Sequence, residues 1–361
     1  MATVNTVLTQ SINELRATIP AIGEELTLVI QSEPGCGKTT LLKMVEEDLG
    51  DGYDYIYVDC PVKDMSDIAM TIPNHETKSL EAYVGGLFKL TGANASPKPK
   101  VILLDEFMKA PKLLQIIFTR LCLERYVGDT PLPQGSIVFA TSNNASDGVG
   151  DSMLAHAGNR VCIVKMQKPS ADEWLKWAGN NGVHPLIRAW VHMFPRSLNS
   201  YLDGGQEDNP YIFNPSRAVL SFCSPRSLAK ASVIVKVRDK IGDNATMSCL
   251  AGTIGHSAAG DMSAFLALDK QIPRLEDIVE KPSTIHMPED SAALLMIMFQ
   301  ATDALKSQDE LTKFMTFINR IESSELQAVF FTMMVRSKNG AKLARSNQQI
   351  ADWAVANHEL F

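Results

Sequence analysis

Long apolar runs are missing from this 361-residue chain: none approaches the roughly 18 residues that cross a bilayer. Its N-terminus also lacks a basic segment followed by an apolar core, so neither a membrane helix nor an export leader is expected and the reading is a cytoplasmic protein. Cysteine is sparse and scattered (Cys36, Cys60, Cys122, Cys162, Cys223, Cys249) without any Cys-x-x-Cys spacing, which excludes a zinc ribbon or a disulfide framework and fits reduced core thiols. The seven histidines form no His-Glu-x-x-His or comparable ligand spacing. Positive charge is not in excess: 34 Lys+Arg against 41 Asp+Glu leave −7, a balance that argues against nucleic acid or an anionic membrane as the main partner, although a local basic strip stays open. Internal repeats and low-complexity tracts are lacking too. What is present, 45% apolar and 21% charged residues over a length above one comfortable core, predicts an ordinary globular protein of two or three domains.

The strongest signal is the stretch Ser32-Glu33-Pro34-Gly35-Cys36-Gly37-Lys38-Thr39-Thr40, between an apolar run, Leu26–Ile30, and a helical pattern, Leu41–Val45. A strand, a Gly-containing loop and a helix start with Gly-Lys-Thr at the junction form a phosphate-binding loop. Its backbone N–H groups close round an oxyanion, the helix N-terminus adds partial positive charge, Lys38 reaches the β- and γ-phosphates, and the Thr39 hydroxyl holds Mg²⁺. Residues Glu33 to Thr40 are therefore the candidate ATP contacts. Ser32 stands where such loops usually carry their first glycine.

A second signal is Val101-Ile102-Leu103-Leu104-Asp105-Glu106, a β-rich run ended by two carboxylates, as at the rim of a parallel sheet where nucleotides lie. There Asp105 would hold Mg²⁺ and Glu106 would act as general base on the attacking water. A third buried strand, Ser136–Ala140, runs into Thr141-Ser142-Asn143-Asn144, where an amide such as that of Asn143 can orient the water or bond the γ-phosphate.

Elsewhere, three- and four-residue spacing of Val4, Val7, Leu8, Ile12, Leu15 and Ile19 predicts an amphipathic helix stopped by Pro20 and Gly23, and Tyr55–Val58 a strand ending at Asp59. Breaks at proline and glycine through 60–100 leave one helix-like piece, Leu80, Tyr83, Val84, Leu87, Phe88. Residues 111–125 read as a helix and Val161–Val164 as the last strand. Ser170, with Glu173 three residues on, is set to cap a helix. Residues 198–216 read as a polar loop and 252–262 as a tight helix connection. From Pro288 onward the periodicity is helical, with no chemical motif.

Together, Pro34–Thr39, Leu103–Glu106 with Lys109-Ala110-Pro111, Glu124–Val127 and Ala140–Asn143 resemble the AAA+ ATPases, and within them the MoxR-like group. The resemblance implies an α/β fold: a P-loop NTPase domain with a five-stranded parallel sheet (1–166), an all-helical lid (167–287) and a helical C-terminal extension (288–361). It further implies a ring, usually a hexamer, binding ATP and ADP at subunit interfaces and remodelling a protein partner, often one with a von Willebrand A-type domain. The alternative is a DNA-associated motor or loader of the branch-migration kind. By the same resemblance, Leu154–Val161 matches the helix end that carries an arginine finger, making Arg160 the candidate, with Arg120 and Arg125 as competitors. Ser224–Lys230 looks like the sensor-2 motif, with Arg226 as its arginine. Tyr83-Val84-Gly85 resembles a substrate-gripping pore loop. The same residues also read as one apolar face of a packed helix, and a second such triplet stands at Tyr126-Val127-Gly128.

Overall fold

The computed structural model describes residues 8–144, 160–217 and 219–358, which divide into two compact units, Met1–Lys168 and Pro169–Phe361. In the first, strands β1 (Thr9–Gln10), β2 (Leu28–Ser32), β3 (Asp54–Asp59), β6 (Lys100–Asp105), β9 (Ile137–Asn143) and β10 (Cys162–Met166) form one sheet in the order β1-β10-β2-β9-β6-β3. Every pairing in it is parallel. The six strands exceed the expected five by β1, a two-residue edge strand at residues expected to be helical. All positions of β6 and β9 are buried, as near-continuous apolar runs require when both faces of a parallel sheet are covered. Lys100 is the exception in that run, and its wholly buried ammonium meets Asp54 Oδ2 at 2.6 Å, holding that carboxyl down to about 2. This pair fixes one end of the β3–β6 register, Asp54 opposite Lys100, and so sets Asp59 opposite Asp105 at the other.

Helix α1 (Ile12–Ile22) starts later and ends later than its periodicity suggested: a Ser11–Glu14 capping box opens it, and Pro20 lies inside it. One proline in a helix costs about 3 kcal/mol, and full burial of Leu15 and Ile19 at about 1.5–3 kcal/mol each offsets it. In place of the helix expected over Leu80–Phe88, residues 80–84 lie in an antiparallel hairpin, β4 (Ala69–Asn74) with β5 (Ser79–Val84), after the short helix α3 (Met65–Ile68), and Gly86–Phe88 make a 3₁₀ turn. Met70, Ile72, Leu80 and Tyr83 on it are exposed, so no buried stripe marked its period. Helices α2 (Thr40–Leu49) and α4 (Lys112–Glu124) and a second small ribbon, β7 (Tyr126–Val127) with β8 (Thr130–Pro131), complete the unit.

The second unit is helical. Ser170 and Glu173 form the capping box of the helix Ala171–Asn180. Among the described residues of 199–224 the only ladder contact is one isolated bridge, Ile212 with Cys223. The small-residue stretch 252–262 is mostly helix, Asp243–Ile254 and His256–Leu268, turned at Gly255 alone. Gly255 has φ +89°, and a Cβ there would sit 2.7 Å from the Ser221 carbonyl oxygen, so only glycine fits. Helix Ser291–Ala304 is buried on both sides, giving Leu295, Met296 and Phe299 to one core and Leu294, Ile297 and Met298 to another formed with Phe314, Phe317 and Phe330.

Candidate nucleotide site

Ser32 ends β2 at the carboxyl edge of the sheet, and the chain turns through Gly35 (φ +79°) and Gly37 (φ +96°) before α2 begins. Left-handed backbone of this kind is open to glycine, which is why the loop can present its amides. Closing bonds from Thr40 N to Gly37 O (2.9 Å) and from Leu41 N to Lys38 O (3.1 Å) start the helix. Thr39, at the cap position, gives no side-chain cap and donates instead to Asp105 Oδ2 at 3.0 Å. Cys36 faces the core, and burial pushes its thiol up to about 12, so it stays neutral. Glu33 turns its carboxylate to Lys168, 3.5 Å away, with both side chains 3% exposed. Nothing in the local sequence around Lys168 marked that tie.

Lys38 is 6% exposed and its ammonium meets Ser32 O (3.0 Å), Ser32 Oγ (3.1 Å), Glu33 O (3.2 Å) and Asn143 Oδ1 (2.9 Å). The serine in the first-glycine position thus adds a hydroxyl acceptor beside the lysine. Asn143 sits opposite Ser32 in the β2–β9 register, so the two strand ends deliver loop and amide to one point.

Asp105 ends β6, with β9 on one side and β3 on the other. Its Oδ2 accepts from Thr39 and from the Tyr57 hydroxyl at 2.9 Å, and its Oδ1 accepts a short bond from Thr141. Glu106 follows in left-handed backbone (φ +53°), unusual for a non-glycine residue, with its N–H 3.3 Å from Thr141 Oγ1. Its carboxylate pairs with Lys109, which a short 3₁₀ turn, Phe107–Lys109, folds back over it. Buried Gln115 of α4 clamps that turn by donating to Met108 O and Ala110 O at 3.0 and 2.9 Å.

The structure therefore brings Lys38, Thr39, Asp105, Glu106 and Asn143 to one sheet edge. Tyr57 and Thr141 were not singled out by sequence. The signal for Tyr57 was alternation in β3, where buried Ile56 and Val58 leave an aromatic hydroxyl on the other face. Tyr57 is in register with Leu103, and Asp105 lies two residues on along the same face, within diagonal reach.

The arginines separate. Arg125 is consumed internally: its guanidinium binds Glu24 O (3.0 Å), Gly23 O (3.0 Å), Thr27 Oγ1 (2.7 Å) and the Cys122 carbonyl. Arg120 pairs with Glu124 and Asp129 and lies over the Tyr126 ring. Arg160 is exposed in a turn two residues before β10, and residues 154–159 of its expected helix end lie outside the described residues. Arg226 belongs to the second unit, exposed in the first turn of Pro225–Lys236, a helix capped by Ser224 with Ser227. Tyr83 and Val84 end a strand and Tyr126 and Val127 form β7, so both triplets sit in small ribbons.

No protein-family model and no curated protein sequence matches this chain. Among solved structures it is similar to a candidate ATPase from Cytophaga hutchinsonii (15% identity, 90% of this chain and 81% of that one, TM-score 0.35). It is also similar to the Thermotoga maritima RuvB Holliday junction branch migration motor (12%, 76% and 75%, TM-score 0.34). A third is Brucella abortus NtrX in complex with ADP (13%, 96% and 70%, TM-score 0.39). These are partial likenesses, and the functional reading stands on the site's own geometry.

Proposed function

We propose that this chain is an ATP hydrolase, converting ATP and water to ADP and phosphate. The observation that carries this reading is the convergence of the Lys38 ammonium, the Asn143 amide and the Thr39–Asp105 pair at the carboxyl ends of three adjacent parallel strands, beside a left-handed glycine loop. Lys38 neutralises phosphate charge, Glu106 takes a proton from the attacking water, and Asn143 orients that water. The Thr39 proton is committed to Asp105 Oδ2 at 3.0 Å, which leaves the Thr39 hydroxyl lone pairs and the remaining acceptor position on Asp105 Oδ1 as hard oxygen donors for a cation; this set fits Mg²⁺. Bound there, Mg²⁺ would supply neutralisation of charge on the phosphates.

The finer reading is a MoxR-like AAA+ chaperone, a ring, hexameric by the resemblance, in which Arg160 of one subunit acts on the ATP of its neighbour and Arg226 completes the site. In it, 167–287 serve as a lid and 288–361 as an extension, and the work is remodelling of a protein partner. The test is phosphate release from ATP, measured against protein concentration, with and without DNA, and with the product of a neighbouring gene. Turnover stimulated by a protein and indifferent to DNA supports this reading, and stimulation by DNA alone replaces it with the motor.

A further inference from the structure

Asp105 has two oxygens with roughly four acceptor positions. Three are filled, one on Oδ1 by Thr141 and two on Oδ2 by Thr39 and Tyr57, so the carboxylate is held by hydroxyls from three elements and keeps one position for a further partner. Thr39 and Thr141 each do something else as well, since the Thr39 oxygen faces the proposed cation and Thr141 also accepts the Glu106 N–H. Among the described residues the Tyr57 hydroxyl makes this one hydrogen bond. Tyr57 is 43% exposed, which makes it a poor contributor to the core.

We propose that Tyr57 is a positioning residue for the cation-binding carboxylate, its hydroxyl fixing the Asp105 orientation on which divalent-cation affinity depends. The inference rests on the nucleotide-site reading above. Partners that orient a metal ligand from behind change affinity by about 10–100-fold when removed.

The test is Tyr57→Phe, which deletes one oxygen and keeps the ring. Mn²⁺ binding is read from the electron paramagnetic resonance signal of the free ion, on the full chain with a non-hydrolysable ATP analogue. The expected result is Mn²⁺ affinity weakened by about tenfold or more, with nucleotide affinity in EDTA and melting temperature unchanged. The Mg²⁺ concentration for half-maximal hydrolysis should rise by a similar factor, and the rate at saturating Mg²⁺ should return. Unchanged Mn²⁺ affinity, or a rate loss that Mg²⁺ does not restore, overturns the positioning role. Asp105→Asn separates the two layers: if it leaves Mn²⁺ binding untouched, the nucleotide-site reading itself fails, whereas strong loss in Asp105→Asn with none in Tyr57→Phe removes only Tyr57.

Discussion

Replacing Lys38 by Met keeps most of the length of the side chain and removes its charge. In this structure the ammonium lies among four oxygens at 2.9–3.2 Å, more than its three N–H groups can serve at once, so it is a donor in surplus demand. Folding should change little. The variant leaves carbonyls of Ser32 and Glu33 short of a donor, at about 1–3 kcal/mol for a buried group, but it also removes the desolvation of an ion that is 6% exposed. Binding has no such offset: two charge-assisted hydrogen bonds to the β- and γ-phosphates, at about 1.5–3 kcal/mol each, are lost together. The sum, about 3–6 kcal/mol, is a drop of roughly 100- to 20,000-fold in ATP affinity. Titration of a fluorescent ATP analogue at fixed salt and Mg²⁺ measures it, with a thermal melt as control. A dissociation constant within about threefold of the parent, less than 1 kcal/mol, in a variant that melts normally would refute the phosphate-loop reading.

Glu106→Gln should keep ATP bound and lower hydrolysis by roughly 100-fold or more, the scale of a lost general base, as read by phosphate release in saturating ATP; surviving turnover would remove Glu106 from that role. Arg125→Ala should destabilise the first unit by about 2–4 kcal/mol, because its guanidinium serves carbonyls from two segments, and a denaturant melt would show it. Material that still folds should hydrolyse ATP normally, since Arg125 is spent on structure. Arg160→Ala should leave ATP affinity intact and cut the rate by roughly a thousandfold. Mixing it with Glu106→Gln should partly restore activity, and no recovery would exclude a shared interface.

Strand ends were the most legible part of the fold. Val101–Leu104 and Ile137–Ala140 are apolar on both faces because both faces are covered; the first ends at its first polar side chain, Asp105, and the second runs on through Thr141 and Ser142 to Asn143, so both strand ends could be placed from sequence. The 69–84 hairpin was illegible for the opposite reason: as a two-stranded ribbon with mostly exposed positions it has no buried face to impose a period of two, and its apolar residues imitate a helical stripe. Tyr57 shows another limit. Its relation to Asp105 depends on which strands are neighbours and in what register, and the sequence sets β3 and β6 well apart in the chain without saying that they pair. The start of α1 was hidden because Val4, Val7 and Leu8 extend its apolar spacing past the Ser11–Glu14 box, the capping signal that in fact opens the helix.

Charge supply gives the remaining step of argument. The γ-phosphoryl group spreads negative charge in its transition state, and Lys38 answers part of it. Neither Asp105, Glu106 nor Asn143 bonds an arginine among the described residues, and two of the candidate guanidinium groups are otherwise employed, Arg125 on backbone carbonyls and Arg120 on Glu124 and Asp129. On the hydrolase reading proposed above, the guanidinium comes from elsewhere. Among the described residues, Arg226, exposed at the start of a capped helix where a cation opposes the helix dipole, and Arg160, exposed before β10, show no such internal commitments, which is the physical reason we propose them for the part. The dipole argument is specific: a lone arginine at the positive end of a helix is disfavoured by about 0.3–1 kcal/mol, so an anion brought to Arg226 gains from both the side chain and the helix terminus.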